Sequence, residues 1–477
     1  MADPALLRRF LRPRTIALVG LAPPDDEGQP QTHWDIMGMR VLANLRRFGF
    51  DPAALHFVSR AATIDGHPAY ATIADLPDGI DIALLALEAA AIPQAIAQCG
   101  ARGIRAAIVY ASGFAEDGDA GRQRQRDLVE AAARAGVAVL GPNTVGLSNF
   151  ADGLSLSFGN HKPVPLDGRR AVGLITQTGG VSGQTRLALE ALGVPVSYSV
   201  CTGNEAVLCA ADFLDFMVAD AATAVILVFA EEIRQPDRFF AAARRARDAG
   251  KPIVLLHPGR SARARQAAAS NSGAEPGDHA ATIAAARAAG CIVTETLETF
   301  WDTAELLLRF GGLPGAGAAL LTDGGVKGII ADICEREGLP LAALSPAVAD
   351  RLCEAAGRAI PEGNPIDLSS AGLTDWHVYG RAARVLLDDP AVGSLLIAIM
   401  PGPPDIGLRN ARATLPALTG ATKPVTYVLM GGDSPLAPEL AAAMRAAGIP
   451  FRRSPERAIR TLAHLTRQSL ENKDTAG

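Results

Sequence analysis

Two short glycine-rich turns contain the residues best suited to hold an anion. The sequences TQTGG at 176–180 and TDGG at 322–325 each follow an apolar run and precede a stretch of helical periodicity, predicted to begin near Ser182 and near Lys327. Glycine lets the backbone approach a ligand closely, and the amino end of a helix offers unpaired N–H groups and a positive dipole end. Either turn alone is equally well explained as a tight strand-to-helix connection, but because the pattern occurs twice we predict that the two turns hold one phosphate. The residues assigned to this site are Thr178, Gly179, Gly180, Val181, Gly324, Gly325 and Val326.

These turns must be positioned by the apolar, β-branched runs that alternate with amphipathic stretches along the chain. Such alternation is typical of βαβ units and therefore of parallel sheets with helices on their faces. The predicted strands form three series, at residues 15–19, 55–58, 82–87, 106–110 and 137–140, then 172–176, 196–200, 224–229, 253–256 and 291–294, and finally 318–322, 394–399, 425–429 and 449–451.

Breaks rich in glycine and proline separate the three series. One break, at 150–169, is interpreted as a linker, and a second lies at 311–317. A chain of 477 residues is also too long for one hydrophobic core, since domains average about 150 residues. We therefore predict an α/β protein with a Rossmann-like domain at 1–149 and two further doubly wound, parallel-sheet domains at 150–312 and 313–477.

Composition excludes several classes of partner. The formal net charge of −5 and the isoelectric point near 6.0 leave no basic surplus for a nucleic-acid backbone. No run reaches the roughly 18 apolar residues of a membrane span, so we expect a cytoplasmic protein that binds no membrane. The six cysteines are scattered, without a CxxC pair or clustered histidines, and no metal site is predicted.

A series of longer motifs gives the sequence a specific resemblance. In chain order these are IALVGLA (16–22), YASGFAEDG (110–118), GPNTVGLSN (141–149), TQTGG, TGNEA (202–206), FAEE (229–232), PGRSARARQAAASNSGA (258–274), TDGG, GNPIDL (363–368) and SPERA (454–458). With them the chain resembles the α part of the ADP-forming acetyl-CoA synthetases, within the NDP-forming acyl-CoA synthetases, and more distantly succinyl-CoA synthetase. The resemblance runs from about residue 14 to residue 465, and it implies that the second and third domains are flavodoxin-like, as in succinyl-CoA synthetase.

In that family the first domain holds CoA at the carboxyl ends of its strands, as is general for open α/β sheets. The resemblance assigns CoA to Gly20, Leu21 and Ala22, a helix start at Gly38, Ser59, Arg60, Leu87, Glu88, Ala89, Ser112, Gly113 and Phe114. Two departures are notable, because relatives usually have proline at the position of Glu88 and Asn-Pro at that of Ser59 and Arg60. The first strand is not followed by a full GxGxxG sequence, which independently argues against an ordinary NAD site.

The family interconverts acyl-CoA and phosphate with an acyl phosphate and free CoA, after which a histidine on a mobile loop carries the phosphoryl group to ADP. A neutral imidazole suits this step because it is a good nucleophile. The loop corresponds to residues 258–278, and Glu231 matches the glutamate that orients the histidine, with Glu232 as a weaker candidate. The alternative for Glu231 is a solvated carboxylate at the end of a strand.

The loop departs from the family at its central residue. Relatives have Ser-His-Thr-Gly or Ser-His-Ser-Gly, whereas this chain has asparagine at position 271. A carboxamide nitrogen is not nucleophilic, because its lone pair is delocalised, so Asn271 cannot carry a phosphoryl group. His279 and His257 flank the loop but do not occupy its tip, and substitution by His279 is kept only as an alternative.

The resemblance implies an α-type subunit of an NDP-forming acyl-CoA synthetase that uses CoA and a small carboxylic acid or acyl-CoA. No segment has the pattern of an ATP-grasp module, so ATP, ADP and Mg²⁺ are expected only through a separate ATP-grasp subunit, and an oligomer is expected. The alternatives are a CoA-binding or acyl-CoA-binding regulatory subunit without a relay, and an acyl-transfer enzyme that works without the histidine.

Overall fold

The computed structural model describes residues 3–22, 32–275, 277–368 and 371–474. The chain divides into two compact units, one comprising Met1–Glu190 and Pro195–Cys291 and the other Ala191–Val194 and Ile292–Gly477. None of the helices in the described ranges combines the length and the hydrophobicity that a membrane-spanning segment needs.

The first sheet of the first unit is almost entirely parallel. Its strands are β1 (Ile16–Val19), β2 (Leu55–Val58), β3 (Thr63–Ile64), β4 (His67–Tyr70), β5 (Ile82–Leu85), β6 (Ala106–Val109) and β7 (Ala138–Leu140), in the order β3-β4-β2-β1-β5-β6-β7. Only the β3–β4 pair is antiparallel among the strand pairs of this sheet in the described residues. The helices are α1 (Pro4–Leu11), α2 (His33–Arg47), α3 (Ile92–Ala101) and α4 (Gly118–Ala135), with short 3₁₀ turns at Pro52–Ala54, Ile73–Asp75 and Ala89–Ala91. The central strands are buried on both faces, which explains their continuous apolar sequences.

The first unit also contributes six strands to a second sheet. They are β8 (Leu147–Asn149), β9 (Leu154–Ser155), β10 (Ala171–Thr176), β11 (Val196–Cys201), β12 (Thr223–Phe229) and β13 (Ile253–Leu256), in the order β13-β12-β10-β11-β8-β9. The helices are α5 (Gly179–Ala191), α6 (Ala210–Ala219), α7 (Pro236–Asp248), α8 (Ala262–Ser272) and α9 (His279–Ala288). Strands β10 to β13 are parallel, whereas β8 and β9 join as an antiparallel edge.

The second unit is built on a five-stranded parallel sheet in the order β16-β15-β17-β18-β19. The unit contains β14 (Ile292–Thr294) and the five strands of this sheet, β15 (Ala318–Thr322), β16 (Ile366–Asp367), β17 (Ser394–Ile399), β18 (Val425–Leu429) and β19 (Phe451–Arg452). The helices are α10 (Leu297–Phe310), α11 (Lys327–Glu337), α12 (Pro346–Ala356), α13 (Ala371–Thr374), α14 (Val378–Leu387), α15 (Pro404–Leu418), α16 (Leu440–Ala446) and α17 (Pro455–Asp474), and a 3₁₀ turn spans Gly324–Val326.

The predicted α/β class with parallel sheets is confirmed, and five predicted strands, among them β2, β13 and β15, have the predicted bounds. Some details were wrong. Helix α5 begins at Gly179 and not near Ser182, and the predicted linker contains β9. Strand β8 pairs with β11 of the second sheet, although its residues had been placed at the end of the first domain. The three domain ranges stay a prediction.

Candidate functional site

Apart from Gly38, the residues predicted to bind CoA follow the carboxyl ends of four neighbouring parallel strands, β2, β1, β5 and β6. The turns are joined to one another: Gly20 N donates to the carbonyl of Val58 at 3.0 Å, and Ala86 N donates to that of Val19 at 2.9 Å. Gly20 has a φ of 98°, and a Cβ atom there would lie 2.4 Å from the carbonyl oxygen of Ala86. The structure therefore brings this set together at one edge of the first sheet, and its assignment to CoA stays a prediction.

The predicted helix start at Gly38 was wrong, because α2 begins one turn earlier, at His33. Thr32 and Asp35 form a capping box at its amino end, and Asp35 also accepts a hydrogen bond from Ala22 N at 2.8 Å. A carboxylate of the chain therefore caps this helix start and also binds a backbone N–H of the turn predicted to line CoA. Gly38 instead lies against Leu21, where a Cβ atom would be 2.8 Å from the leucine Cδ1.

Several motifs meet at the carboxyl edge of the second sheet. TQTGG follows β10, TGNEA follows β11, FAEE overlaps the end of β12, and the 258–278 loop follows β13. Thr202 N donates to the carbonyl of Thr176 at 2.7 Å, which joins the first two motifs. A Cβ atom on Gly179 would lie 2.3 Å from Val145 Cγ1, so this turn requires glycine to pack on the GPNTVG segment.

Glu231 is hydrogen-bonded to the end of α8. Asn271 Nδ2 donates to Glu231 Oε1 at 2.8 Å, and the hydroxyl of Ser272 donates to Glu231 Oε2. Burial raises the pKa of Glu231, and the two hydrogen bonds oppose that rise. Because Glu231 is only 6% exposed, the alternative of a solvated strand-end carboxylate is wrong. The structure brings Glu231 and Asn271 together, and their roles stay predictions.

Gln177 was missed as a site residue, although it lies inside a quoted motif. Its Oε1 accepts from the backbone N–H groups of Glu231 and Glu232, and its Nε2 donates to the carbonyl of Glu232 at 2.6 Å. This buried amide holds the turn after β12 against the turn that begins α5. Glu232 itself points to other partners, accepting from Glu275 N at 2.9 Å and pairing with Arg234.

Two histidines lie close to this turn. His257 Nδ1 lies 2.5 Å from the carbonyl of Ala230, and its ring stacks on that of His279 with centroids 5.3 Å apart. Burial lowers the pKa of His257, and the hydrogen bond to the Ala230 carbonyl opposes that shift. Its Nε2 is enclosed and has no hydrogen-bond partner in the described part of the chain. An enclosed nitrogen cannot meet a phosphoryl group without rearrangement. Pro276 of the predicted loop lies outside the described residues.

The second glycine-rich turn lies in the second unit. Gly324–Val326 forms the 3₁₀ turn, and α11 begins at Lys327 as predicted. Gly324 N donates to Asp367 Oδ1 at 2.9 Å, so a carboxylate already uses one of the expected anion-binding groups. The phosphate shared by both turns stays a prediction.

Two regions of the chain match known families. Residues 14–149 match a CoA binding domain, and residues 169–307 match the succinyl-CoA ligase like flavodoxin domain. Over 98% of its length the chain is 34% identical to a trans-feruloyl-CoA synthase from an unknown prokaryotic organism. It is also similar to the dinucleotide forming acetyl-coenzyme A synthetase 1 of Ca. Korarchaeum cryptofilum, in complex with phosphate and ADP, with 26% identity, a TM-score of 0.82 and 100% coverage of both chains. Homologues of the chain are therefore ADP-forming acyl-CoA ligases.

The chain spans 65% of the length of the trans-feruloyl-CoA synthase. In contrast, 97% of it aligns with 98% of the α subunit of ADP-forming acetate–CoA ligase I from Pyrococcus furiosus, at 28% identity. The resemblance predicted from the ordered motifs is confirmed. That Asn271 occupies the position of the phosphoryl-carrying histidine stays a prediction.

Proposed function

We propose that the chain is the α-type, CoA-handling part of an ADP-forming acyl-CoA ligase. The observation that supports this proposal is that, within the first unit, Asn271 and Glu231 meet at the end of α8, which packs beside the turn predicted to line CoA. Gly273, the residue after α8, lies so close to Ala115 that a Cβ atom would approach the alanine Cβ to 2.5 Å. A thioester bound along the first sheet would therefore end near Glu231.

In the proposed reaction phosphate attacks the thioester carbonyl carbon, the carbon–sulfur bond breaks, and acyl phosphate forms while the CoA thiolate takes up a proton. The first N–H groups of α5, at Gly179, Gly180 and Val181, have no partner inside the helix and suit the developing negative charge. The reverse direction makes acyl-CoA. CoA is the ligand of this chain, and a separate ATP-grasp subunit supplies ATP, ADP and Mg²⁺.

The acid is proposed from the relatives. One relative is named for trans-feruloyl-CoA and another for acetate. Because the former shares the higher identity, ferulate and related aromatic acids are the first to test, followed by acetate.

Asn271 supports a second candidate function. Its amide donates to Glu231, as an imidazole N–H would, but it offers no nucleophilic nitrogen. A chain that keeps the site and lacks the carrier fits a CoA-binding regulatory subunit or an acyl-transfer enzyme.

Replacing Asn271 by histidine separates these functions. We expect Asn271→His to become labelled from ³²P-acyl phosphate as an acid-labile phosphohistidine, and to pass the label to ADP only when an ATP-grasp subunit is present. The unchanged protein should form acyl-CoA from acyl phosphate and CoA without becoming labelled. Asn160→His is the control, since Asn160 is exposed and contacts Arg47.

Labelling of the unchanged protein would contradict the assignment of position 271. Intact CoA binding, with neither acyl-CoA formation nor labelling of Asn271→His, would favour the regulatory function.

A further inference from the structure

Glu116 ties the predicted CoA-lining turn to the second sheet. Its Oε1 accepts hydrogen bonds from Gly113 N at 2.6 Å and from Phe114 N at 3.2 Å, and both donors belong to that turn. Its Oε2 accepts from Asn204 Nδ2, across 88 positions of sequence. The shape of the turn is therefore linked to an amide in the TGNEA motif.

Asn204 is also connected to α8, through the side chain of Asn143. It has no exposed surface, and its Oδ1 accepts from Asn143 Nδ2 at 3.2 Å. Asn143 Nδ2 in turn donates to the carbonyl oxygen of Asn271 at 3.0 Å. Asn204 is buried, so loss of its partners would carry the cost of its desolvation, whereas the bond from Asn143 to α8 lies at the surface.

Direct packing supports the same connection. Gly273 ends α8 with a φ of 62°, and its close approach to Ala115 leaves no room for a side chain. Ala115 N also donates to Gln125 Oε1, which accepts from Asn204 Nδ2 at 3.0 Å. The end of α8 and the turn at 113–116 are thus joined both by hydrogen bonds and by contact.

We propose that Asn204 and Asn143 are positioning residues that hold the end of α8 against the turn predicted to line CoA. CoA binding at this turn would then stabilise the end of α8, where Asn271 lies. This inference rests on the proposed function, in which Ser112 to Phe114 line CoA. Neither asparagine needs to contact a substrate, because each acts through Glu116 or through the carbonyl of Asn271.

Hydrogen–deuterium exchange of residues 262–273, with and without CoA, tests this connection, and calorimetry reports CoA affinity separately. In the unchanged protein CoA should slow exchange in this segment. Asn204→Asp places a carboxylate against Glu116 and should speed exchange in the free protein by roughly tenfold, as for local opening after the loss of a buried hydrogen bond. The variant should still bind CoA, but CoA should no longer slow exchange in residues 262–273.

Two further variants distinguish a broken link from general damage. Asn204→Asp combined with Glu116→Gln restores a donor opposite an acceptor and should recover the effect of CoA. Asn143→Gly keeps the left-handed backbone at φ 56° while removing the amide, and should abolish the effect. Asn160→Gly, on the surface of the same unit, is the matched control and should retain it.

The inference is overturned if CoA still slows exchange of residues 262–273 in Asn204→Asp and Asn143→Gly, or if the double variant does not recover this slowing. Either result would leave the proposed function standing. Failure of the unchanged protein to bind CoA would contradict both.

Discussion

The hydrogen bonds around Glu231 show what the asparagine at position 271 preserves. Both carboxylate oxygens accept from the end of α8, one from the Asn271 amide and one from the Ser272 hydroxyl. An imidazole N–H at position 271 would donate in the same direction. Relative to the histidine predicted for this position in relatives, asparagine keeps these contacts of α8 but offers no nucleophilic nitrogen, so replacing this one residue distinguishes the two candidate functions.

A second carboxylate, that of Glu205 at the carboxyl edge of the second sheet, should make the stability of the protein depend on pH. Glu205 is buried in the left-handed region at φ 55°, with Oε1 held by Thr202 and by Ala210 N. Burial raises its pKa from 4.5 to about 7. The folded protein therefore keeps this proton to a higher pH than the unfolded chain, and the stabilisation is complete below pH 4.5 and lost as the pH rises through 7.

Glu205→Gln does not titrate, so its stability relative to the unchanged protein should rise between pH 5 and pH 8 by on the order of 2 to 3 kcal/mol. Thermal unfolding of both proteins at the two pH values measures this difference. The same difference at both values would show that Glu205 ionises normally.

Sequence motifs identified Glu231, Asn271 and the glycine-rich turns, because each lies in a short conspicuous segment. They did not identify the partners of these residues. Glu116 and Asn204 are 88 positions apart, and Asn143 and Asn271 are 128 positions apart. Such pairs depend on how two sheets are joined, which local pattern does not encode.

At the scale of elements, α10, α17 and β19 of the second unit are joined by a buried ionic cluster. Arg452 contacts Asp302 at 2.7 Å and also Glu305, and all three side chains are almost fully buried. Arg457 makes a bidentate contact with Asp302, donating to both of its carboxylate oxygens.

Arg452→Met leaves two buried carboxylates without this cation, and should destabilise the second unit by about 3 to 5 kcal/mol. Arg381→Met is the comparison, because the Arg381–Asp375 pair is about half exposed and such pairs contribute about 1 kcal/mol or less. Hydrogen exchange in β15 and β17 reports both losses. Equal losses would show that burial of the cluster contributes nothing.

The central strands were predictable because their apolar, β-branched runs are buried on both faces. Strands β8 and β9 were not, since segments as short and polar as Leu147–Asn149 show no alternation. The start of α2 was missed because its capping box lies one turn before the apolar positions that suggested the helix.

At the scale of the molecule, three series of strands form two compact units because the first two sheets are packed together. The segment that leaves β7 folds onto the turn after β11: Asn204 N donates to the carbonyl of Pro142 at 2.9 Å, and Ala206 N to that of Gly141 at 3.1 Å. The edge predicted to line CoA and the end of α8 consequently belong to the same compact unit. The three series of strands in the sequence predicted the three sheets, but they did not predict that the first two sheets pack into one compact unit.

Titration of CoA into the unchanged protein, Gly20→Ala and Gly79→Ala tests the account most directly. Both glycines have positive φ, at 98° and 84°, but an added Cβ meets Ala86 and Leu87 at Gly20 and nothing within 4 Å at Gly79. We predict that CoA binds the unchanged protein and Gly79→Ala with similar affinity, and Gly20→Ala at least about tenfold more weakly, a loss of about 1.4 kcal/mol. Absence of CoA binding to the unchanged protein, or equal affinity in both variants, would contradict a CoA site at the carboxyl edge of the first sheet.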